Sequence, residues 1–479
     1  MKGYNKDKVM DEFLDDLKKI VGEKNVSVRK VDLINYARDT WIVPVLKFKN
    51  RLKLPEPEAI VWPETTKDVS EILKLANKYK VPVITFGGGA GVVGGVIPTH
   101  GGIVLDLKKM KNVIEINKEA HYAIVESGII SQNFEEYLNR FGFTLGHYPM
   151  SMNTSTIGGF LATRASGTAS TKYGNIEDMV LGLEFVLPTG EIVETLNVPK
   201  TSVGPDLKRL IIGSEGVLGV ITKITLKIFP IPEKQIYKVF MFKTFDDGMD
   251  AIREILQSGI FPAIVRLYDE MDTSAILGRI GVHAEGCVLI LRFDGKDEIV
   301  KVEDEIASKI CQEYNAEQLD SKIGIHWWNH RYDQYFELPE VLEGGIADTI
   351  EIAATWDKLK TVYHKIRDSV SDLEILLMAH LSHAYTTGGC IYFTFVVEYV
   401  EDEDDPFIHL KSTWDKIMQA CLDSGATISH HHGVGIARNP WIKKELGTGL
   451  ELLRRIKNAL DPNNILNPGK LGMDGDKWI

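Results

Sequence analysis

The sequence lacks the cysteine patterns of disulfide-rich and zinc-knuckle proteins. Its four cysteines, Cys287, Cys311, Cys390 and Cys421, are scattered along the chain and form no Cys-x-x-Cys pair. Neither a disulfide framework nor a cysteine-rich metal site is indicated. A reducing, cytoplasmic compartment is therefore expected.

Long apolar runs and localised positive charge are also missing. The longest apolar stretch, CIYFTFVV at residues 390–397, is far shorter than the roughly 18 residues that a membrane-spanning helix needs. The net charge is −12, and no basic stripe with interleaved aromatic residues is present, which argues against a nucleic acid partner. We expect a soluble protein that contacts a membrane at most peripherally.

The rest of the composition is that of a globular protein with more than one domain. The chain has 479 residues, of which 44% are hydrophobic and 25% charged. The prolines of FPIPEK, residues 229–234, close a β-rich run and mark the clearest boundary. The predicted divisions are a helical segment at 1–53, a domain at 54–232, a second domain at 233–425 and a C-terminal segment at 426–479.

Apolar periodicity predicts a mixed α+β fold. Residues 58–107 follow the order strand, helix, strand, loop, strand, and residues 177–195 have the pattern of a hairpin that turns at Pro188-Thr189-Gly190. After residue 233, strands alternate with amphipathic helices. This alternation predicts an open antiparallel sheet with helices on one face.

A glycine-rich loop at residues 84–95, ITFGGGAGVVGG, formally matches the dinucleotide-binding fingerprint G-x-G-x-x-G. That fingerprint requires a helix to begin in the loop, whereas here Pro98 and a strand follow, so the Rossmann interpretation fails. Bare backbone N–H groups can still hold phosphates. Two further stretches rich in Ser, Thr and Gly, residues 149–178 and 213–222, indicate that a large polyanionic cofactor binds all three.

These motifs resemble a known family. FGGGAG, STIGGFLATRASG, YGNIEDMV and GSEGVLGVIT resemble the FAD-binding domain of the vanillyl-alcohol oxidase superfamily. In the second half, IVRLYD, GGCIYFTF, TISHHHGVG and LDPNNIL resemble the alkyldihydroxyacetone-phosphate synthases. The resemblance implies a two-subdomain FAD-binding domain at 54–232, a cap domain at 233–425 with an antiparallel sheet covered by helices, and a C-terminal segment that returns to the flavin.

The resemblance also implies four segments that contact FAD. They are Thr85, Phe86, Gly87, Gly88, Gly89, Ala90 and Gly91; Met150, Ser151, Met152, Asn153, Thr154, Ser155 and Thr156; Thr163, Arg164, Ala165 and Ser166; and Glu215, Gly216, Val217, Leu218, Gly219, Val220 and Ile221. Members that attach flavin covalently often use a histidine in the glycine loop. Here that place is Ala90-Gly91, so FAD is expected to bind non-covalently.

By the same resemblance, Tyr392 is the proton donor and acceptor, Arg266 and His430, His431 and His432 are catalytic, and Arg331 contacts substrate. A tyrosine suits proton transfer, and an arginine fork suits phosphate or carboxylate. Taken singly, Tyr392 would be a core residue and Arg266 a surface ion-pair partner. Their joint occurrence with the flavin segments favours an active site.

His380 stands where the synthases have an arginine, and we assign it to substrate binding. Related D-lactate and glycolate dehydrogenases carry a histidine at about this place, in a metal-binding motif His-x-Gly-Asp-Gly-Asn-x-His. The rest of that motif is missing here, so no metal is assigned, but a Zn or Mn site formed by His380, His383 and the three consecutive histidines stays open as an alternative.

The backbone at the three consecutive histidines decides how they can act together. If that segment is extended, two rings share one face and the middle ring points to the other, unless the backbone turns before Gly433.

Three functions remain open at this point. The first is exchange of the acyl group of acyl-dihydroxyacetone phosphate for a fatty alcohol, in which flavin acts as an electrophile without net redox change. The second is a D-2-hydroxy-acid dehydrogenase with an electron-transfer partner. The third is a flavin-binding subunit of a larger complex. For the enzyme, the resemblance implies a phosphorylated, lipid-like small-molecule substrate and a homodimer.

Overall fold

The structure is a computed structural model that describes residues 6–49, 51–279, 285–332, 345–398 and 407–473. Within those ranges the helices are α1 Lys6–Val21, α2 Lys30–Asn35, α3 Ile42–Lys49, α4 Thr66–Tyr79, α5 Ser131–Asn139, α6 Ile157–Thr163, α7 Ser170–Tyr173, α8 Ile176–Met179, α9 Leu207–Ile211, α10 Phe245–Gln257, α11 Glu270–Arg279, α12 Asp297–Glu313, α13 Ser321–Asn329, α14 Trp356–Ser369, α15 Ile408–Asp423, α16 Asn439–Leu446 and α17 Thr448–Leu460.

Four sheets are present in the same ranges. Their strands are β1 Val26–Ser27, β2 Ala59–Val61, β3 Val83–Phe86, β4 Ile103–Asp106, β5 Val113–Asn117, β6 Tyr122–Glu126, β7 Phe143–Thr144, β8 Val180–Val186, β9 Ile192–Glu194, β10 Val220–Lys227, β11 Phe229–Pro230, β12 Lys234–Phe242, β13 Ile264–Tyr268, β14 Cys287–Gly295, β15 Glu317–Leu319, β16 Gly345–Thr355, β17 Leu376–Tyr385 and β18 Gly388–Glu398.

The first sheet has the order β1-β2-β4-β3, in which β2, β4 and β3 are parallel. Helix α4 begins at a capping box, where Thr65 accepts from the N–H of Asp68 and Asp68 accepts in return. Its apolar stripe shares a core with the buried Phe13 and Leu17 of α1. The strand-helix-strand pattern predicted for this part of the chain is the one that forms.

The second sheet is antiparallel, with the order β5-β6-β10-β8-β9. The hairpin β8–β9 turns where the sequence predicted it. Gly190 has φ 86°, which a residue with a side chain rarely adopts, and its N–H donates to Leu187 O at 2.8 Å. These first two sheets carry or flank the segments expected to contact FAD.

The third large sheet has seven antiparallel strands in the order β15-β12-β14-β13-β17-β18-β16. Helices α10, α12 and α14 pack on it, and Ile350 and Ile352 of β16 share a core with Leu359 and Val362 of α14. Because side chains alternate along a strand, Glu351 points to the other face, away from these helices. That face carries the candidate site.

The C-terminal segment lies against the glycine loop. Leu466 forms a parallel bridge with Val83 of β3, and the N–H groups of Ile436 and Ala437 both donate to Val93 O. The two halves of the chain therefore meet at this loop. Among the residues described, no helix combines the length and apolar character needed to cross a bilayer.

Candidate active site

One row of side chains crosses four strands of the seven-stranded sheet. Tyr392 on β18 pairs with Glu351 on β16 and with His380 on β17, and His380 pairs in turn with Tyr268 on β13. Cross-strand partners share a face of the sheet, so these side chains point the same way. The His380 and Tyr392 rings stack with centroids 5.0 Å apart and planes 12° apart. The register thus places Tyr392 within a polar row.

His380 holds Arg266 at one end of this row. Its Nδ1 lies 2.6 Å from Asp272 Oδ2, and its Nε2 lies 2.7 Å from Arg266 Nη2. Because a guanidinium only donates, Nε2 accepts and Nδ1 carries the proton donated to Asp272. Burial and the nearby guanidinium lower the pKa of His380 to about 4. His380 is therefore a neutral ring that orients Arg266, which also donates to Tyr268 Oη at 2.9 Å.

The histidine turn, residues 430–432, is wrapped around the Glu351 carboxylate. Its three backbone N–H groups donate to Glu351 Oε1 at 3.2, 3.2 and 2.9 Å. Glu351 Oε2 accepts from Arg438 and lies 3.0 Å from His432 Nδ1. Burial raises the pKa of this carboxyl, but Arg438 and the histidines outweigh burial and hold the pKa well below its usual range. A buried anion therefore shapes the turn.

The rings of the histidine turn do not point alternately to opposite faces, as they would in an extended segment. His431 and His432 lie with ring centroids 6.1 and 5.4 Å from that of Tyr392, and His430 lies 5.1 Å from His383. Three successive N–H groups converge on one carboxylate, which a strand cannot arrange because its N–H groups alternate. The backbone does turn before Gly433, and all three rings gather at one site.

A second buried carboxylate, Glu215, fixes the chain just after the histidine turn. Its oxygens accept from the N–H groups of Val434 at 2.6 Å and Gly435 at 2.8 Å. Gly433 has φ 85°, and a Cβ there would lie 2.7 Å from this carboxylate, so glycine is required. The Glu215 side chain, expected at FAD, is instead occupied by this contact, and its backbone N–H and C=O are bonded to Ala162 and Asn467.

The glycine loop packs so closely on the second predicted FAD segment that side chains are excluded. A Cβ at Gly87 would lie 2.3 Å from Thr156 Oγ1, and a Cβ at Gly88 would lie 2.1 Å from Thr154 O. The buried Thr85 Oγ1 has no hydrogen-bond partner among the described residues. Bare backbone and an unpaired hydroxyl fit the phosphates and hydroxyls of FAD.

The other two predicted FAD segments adjoin the same place. The N–H of Glu215 donates to Ala162 O at 2.9 Å, and a Cβ at Gly216 would lie 3.5 Å from Thr85 Cβ. Arg164 has φ 57°, and its guanidinium bonds Glu177 at 3.1 and 3.0 Å. The structure therefore brings all four segments together, with the Arg164 side chain directed to Glu177.

Arg331 is joined to a predicted FAD segment rather than to the histidine turn. Its guanidinium lies 3.6 Å from the Trp328 ring centroid and donates to Tyr332 Oη at 2.9 Å. Tyr332 Oη in turn donates to Met152 Sδ at 3.3 Å, within a predicted FAD segment. Of the two arginines predicted from the resemblance, Arg266 adjoins the row of Tyr392, and Arg331 adjoins Met152.

Asp272 and Glu351 were not singled out from the sequence, although each fixes a predicted site residue. The available signal was weak: Glu351 is a lone charge in the apolar run TIEIAA, and Asp272 lies in an ordinary helical stretch. Ser170 was also missed, and its Oγ lies 2.8 Å from His383 Nδ1. These contacts join segments that are far apart in the sequence and come together only through strand pairing and tertiary packing. They therefore leave no local sequence pattern.

The chain matches the FAD binding domain family over residues 57–196 and the C-terminal domain of FAD linked oxidases over residues 231–471. It belongs to the FAD-linked oxidase family. It is 30% identical to alkyldihydroxyacetonephosphate synthase of Trypanosoma brucei brucei, over 97% of this chain and 81% of that protein. It is 33% identical to a mitochondrial cytochrome-type D-lactate dehydrogenase of Arabidopsis thaliana, over 87% of this chain and 73% of that protein.

A solved structure of alkyldihydroxyacetonephosphate synthase matches with a TM-score of 0.79 at 27% identity, and the match covers 96% of this chain and 84% of that one. These similarities confirm the family resemblance and the α+β fold, with its vanillyl-alcohol-oxidase-type FAD-binding domain and cap. They also confirm FAD as the cofactor. The protein is therefore an FAD-dependent enzyme.

Proposed function

We propose that this protein exchanges the acyl group of acyl-dihydroxyacetone phosphate for a fatty alcohol, as an alkyldihydroxyacetone-phosphate synthase. The supporting observation is the convergence of Arg266, Tyr392 and the histidine turn on one sheet face, in a chain similar to such a synthase over 97% of its length. When bound, FAD supplies an electron-poor ring that a substrate carbon can attack or reduce. The substrate is phosphorylated and lipid-like.

Each site residue has a distinct task in this proposal. Arg266, held by His380 and Tyr268, presents a fixed positive charge to the substrate phosphate. Tyr392 Oη moves the proton at the reacting carbon, and the rings of His431 and His432 beside it receive or return that proton. The enzyme is proposed to hold FAD non-covalently and to act as a cytoplasmic homodimer with peripheral membrane contact.

A D-2-hydroxy-acid dehydrogenase is the second candidate, supported by the similarity to the plant D-lactate dehydrogenase. In that reaction Arg266 would bind the substrate carboxylate, and an electron-transfer partner would reoxidise the flavin. The contacts that the two ring nitrogens of His380 make with other side chains favour the synthase. Both of its ring nitrogens face protein partners, Asp272 and Arg266, so His380 does not serve as the metal ligand of the dehydrogenase motif.

Two reactions on the same flavin-loaded protein separate the candidates. Without oxygen, a panel of D-2-hydroxy acids is added and the visible flavin band is followed. In parallel, acyl-dihydroxyacetone phosphate and a fatty alcohol are incubated with the protein, and the alkyl product is measured by mass spectrometry. The proposal expects alkyl product and no bleaching. Rapid bleaching without alkyl product would establish the dehydrogenase instead.

Tyr392→Phe tests the role of the hydroxyl. General acid–base groups typically contribute roughly 10²–10⁴-fold, so kcat is expected to fall by about 10²-fold or more while FAD content stays unchanged. Tyr314→Phe is the matched control, because Tyr314 Oη donates to Glu254 at the surface. Equal kcat for Tyr392→Phe and the control would remove Tyr392 from the mechanism.

A further inference from the structure

Residues 36–41, between helices α2 and α3, lie across the glycine loop and are called the strap here. The sequence predicted only a helical segment at 1–53, with no contact to the cofactor. The strap nevertheless contacts the loop near both of its ends and in its middle. We propose that Asp39 and Thr40 of the strap are positioning residues, which orient the backbone of the loop so that its N–H groups are available to the phosphates of FAD.

Thr40 holds two carbonyl groups in the middle of the loop. Its N–H donates to Gly91 O at 3.0 Å, and its hydroxyl lies 2.9 Å from Gly91 O and 3.2 Å from Ala90 O. In a planar trans peptide, the C=O and the N–H of the following residue point in opposite directions. Because Thr40 holds the carbonyls of Ala90 and Gly91, the N–H groups of Gly91 and Val92 are directed away from it.

Asp39 fixes the loop near its end. Its buried carboxyl group accepts from the Gly94 N–H at 2.8 Å through Oδ2 and from the Trp41 N–H at 3.1 Å through Oδ1. Gly94 has φ 75°, and a Cβ there would lie 3.2 Å from Cε3 of the buried Trp41. Glycine is therefore required at the point where the strap packs on the loop, outside the predicted FAD segment 85–91.

Two further carbonyl groups of the loop are held by the protein, whereas a run of its N–H groups is not. Lys108 Nζ donates to Gly87 O at 2.8 Å, and Val93 O accepts from two N–H groups of the C-terminal segment. In the part of the chain that the structure describes, the N–H groups of residues 88–92 have no protein acceptor. Successive N–H groups that are free to donate form a binding site for anions such as phosphate.

An aromatic contact supports the start of the loop. The Tyr36 ring of the strap lies 4.7 Å from the Phe86 ring, and a Cβ at Gly89 would lie 2.5 Å from Phe86 Cζ. Tyr36 is itself held by a hydrogen bond from its hydroxyl to Asp106. The strap therefore supports the loop along its whole length. This positioning role applies to either candidate reaction, because both need bound FAD.

Hydrogen exchange of the wild-type protein, resolved to single amides by mass spectrometry, tests this arrangement directly. In the apoprotein, the amides of Gly91 and Val92 are expected to exchange rapidly, whereas the Gly94 amide, bonded to Asp39, is expected to exchange slowly. Added FAD should protect Gly91 and Val92. Equal exchange at all three amides in the apoprotein, or no protection of Gly91 and Val92 by FAD, would overturn the proposal.

Thr40→Val tests the hydroxyl, because valine keeps the shape of the side chain and the backbone N–H. The dissociation constant of FAD, measured by titrating the apoprotein, is expected to rise by about 3–10-fold, as for the loss of one hydrogen bond. Thr40→Ser keeps a hydroxyl and is expected to retain the wild-type affinity.

Thr189→Val is the matched control, because it removes a threonine hydroxyl that donates to Glu191 in an exposed turn. The apoprotein Tm of Thr40→Val should equal that of the control, so that weaker FAD binding reports the positioning of the loop and not a loss of fold. An unchanged dissociation constant in Thr40→Val, a rise that Thr40→Ser shares, or an apoprotein Tm below that of the control would each contradict the positioning role.

Discussion

At the scale of single residues, the site depends on buried charges that act through the backbone. Glu351 and Glu215 together accept from the N–H groups of five residues, 430, 431, 432, 434 and 435. Neither carboxylate is a proton donor to substrate in our proposal. Both are positioning residues, because they hold the rings of the histidine turn against Tyr392.

Glu351→Gln tests this positioning role. The glutamine can still accept the turn's N–H groups, but its amide cannot accept from Arg438, whose side chain is fully buried beside it. Leaving a buried charge uncompensated typically costs about 3–5 kcal/mol, so a clear fall in Tm is expected. Loss of turnover in the surviving folded fraction is also expected. FAD content, measured by absorbance, should change little because the hydrogen-bond partners of Glu351 lie outside the predicted FAD segments.

Glu398→Gln is the control for that substitution, since Glu398 is exposed at the end of the neighbouring strand β18. If Glu351→Gln matched the control in both Tm and kcat, the carboxylate would not be what holds the histidine turn.

At the scale of elements, local patterns predicted more of the fold than of the site. Apolar periodicity and turn residues predicted β2, α4, β3 and β4 and the β8–β9 hairpin. The order of the seven-stranded sheet could not be predicted, because it depends on pairing between strands that are distant in sequence. The row Glu351, Tyr392 and His380 exists only through that pairing, and His383 joins the site through a register shift that its sequence does not signal.

In the glycine loop, unlike the active-site row, the sequence pattern corresponds directly to a close contact in the structure. Gly88→Ala would place a methyl group 2.1 Å from the Thr154 carbonyl oxygen, so the loop must move away from the second predicted FAD segment. We expect the purified variant to lose most of its bound flavin. The measurement is the ratio of flavin absorbance to protein absorbance, with FAD affinity from titration of the apoprotein.

Gly95→Ala is the matched control in the same loop, outside the predicted FAD segment 85–91. Among the described residues, the nearest atom to its Cβ would be Glu215 Oε2, at an ordinary contact distance of 3.8 Å. Near-normal flavin content is therefore expected for Gly95→Ala. Equal flavin loss in both variants would mean that the loop requires glycine for its general flexibility and not for the close contact at Gly88.

At the scale of the whole molecule, the C-terminal segment joins the two halves of the chain at the glycine loop. Asn467 Nδ2 donates to Gly95 O at 2.9 Å and to Glu215 O at 2.7 Å. Lys470 Nζ donates to Ile97 O at 2.7 Å, and its side chain is fully buried. The segment that follows helix α17 therefore stabilises the end of the glycine loop, although Asn467 and Gly95 are 372 residues apart in the sequence.

Lys470 also supplies the positive charge that two buried carboxyls share. Burial raises the pKa of Asp39 to about 7 and raises that of Glu215, while Lys470 acts against both shifts. An acid whose pKa is raised by folding stabilises the fold below its unfolded pKa and loses that contribution as the pH rises through its folded pKa. The cost of ionising Asp39 therefore grows as the pH rises from its ordinary pKa toward about 7, and it is fully present above that pH.

Lys470→Met is expected to make the free-energy cost of ionising the buried carboxyl larger, and the stability of the fold more dependent on pH. Near pH 6, below its folded pKa of about 7, Asp39 can keep its proton, so the loss of Tm is modest, whereas near pH 8.5 it must ionise without the cation and the cost approaches about 3–5 kcal/mol. The measurement is Tm of wild type and variant across this range, with the exposed Lys443→Met as control. A Tm difference that stayed constant with pH would show that Lys470 acts through packing and its bond to Ile97, not through charge.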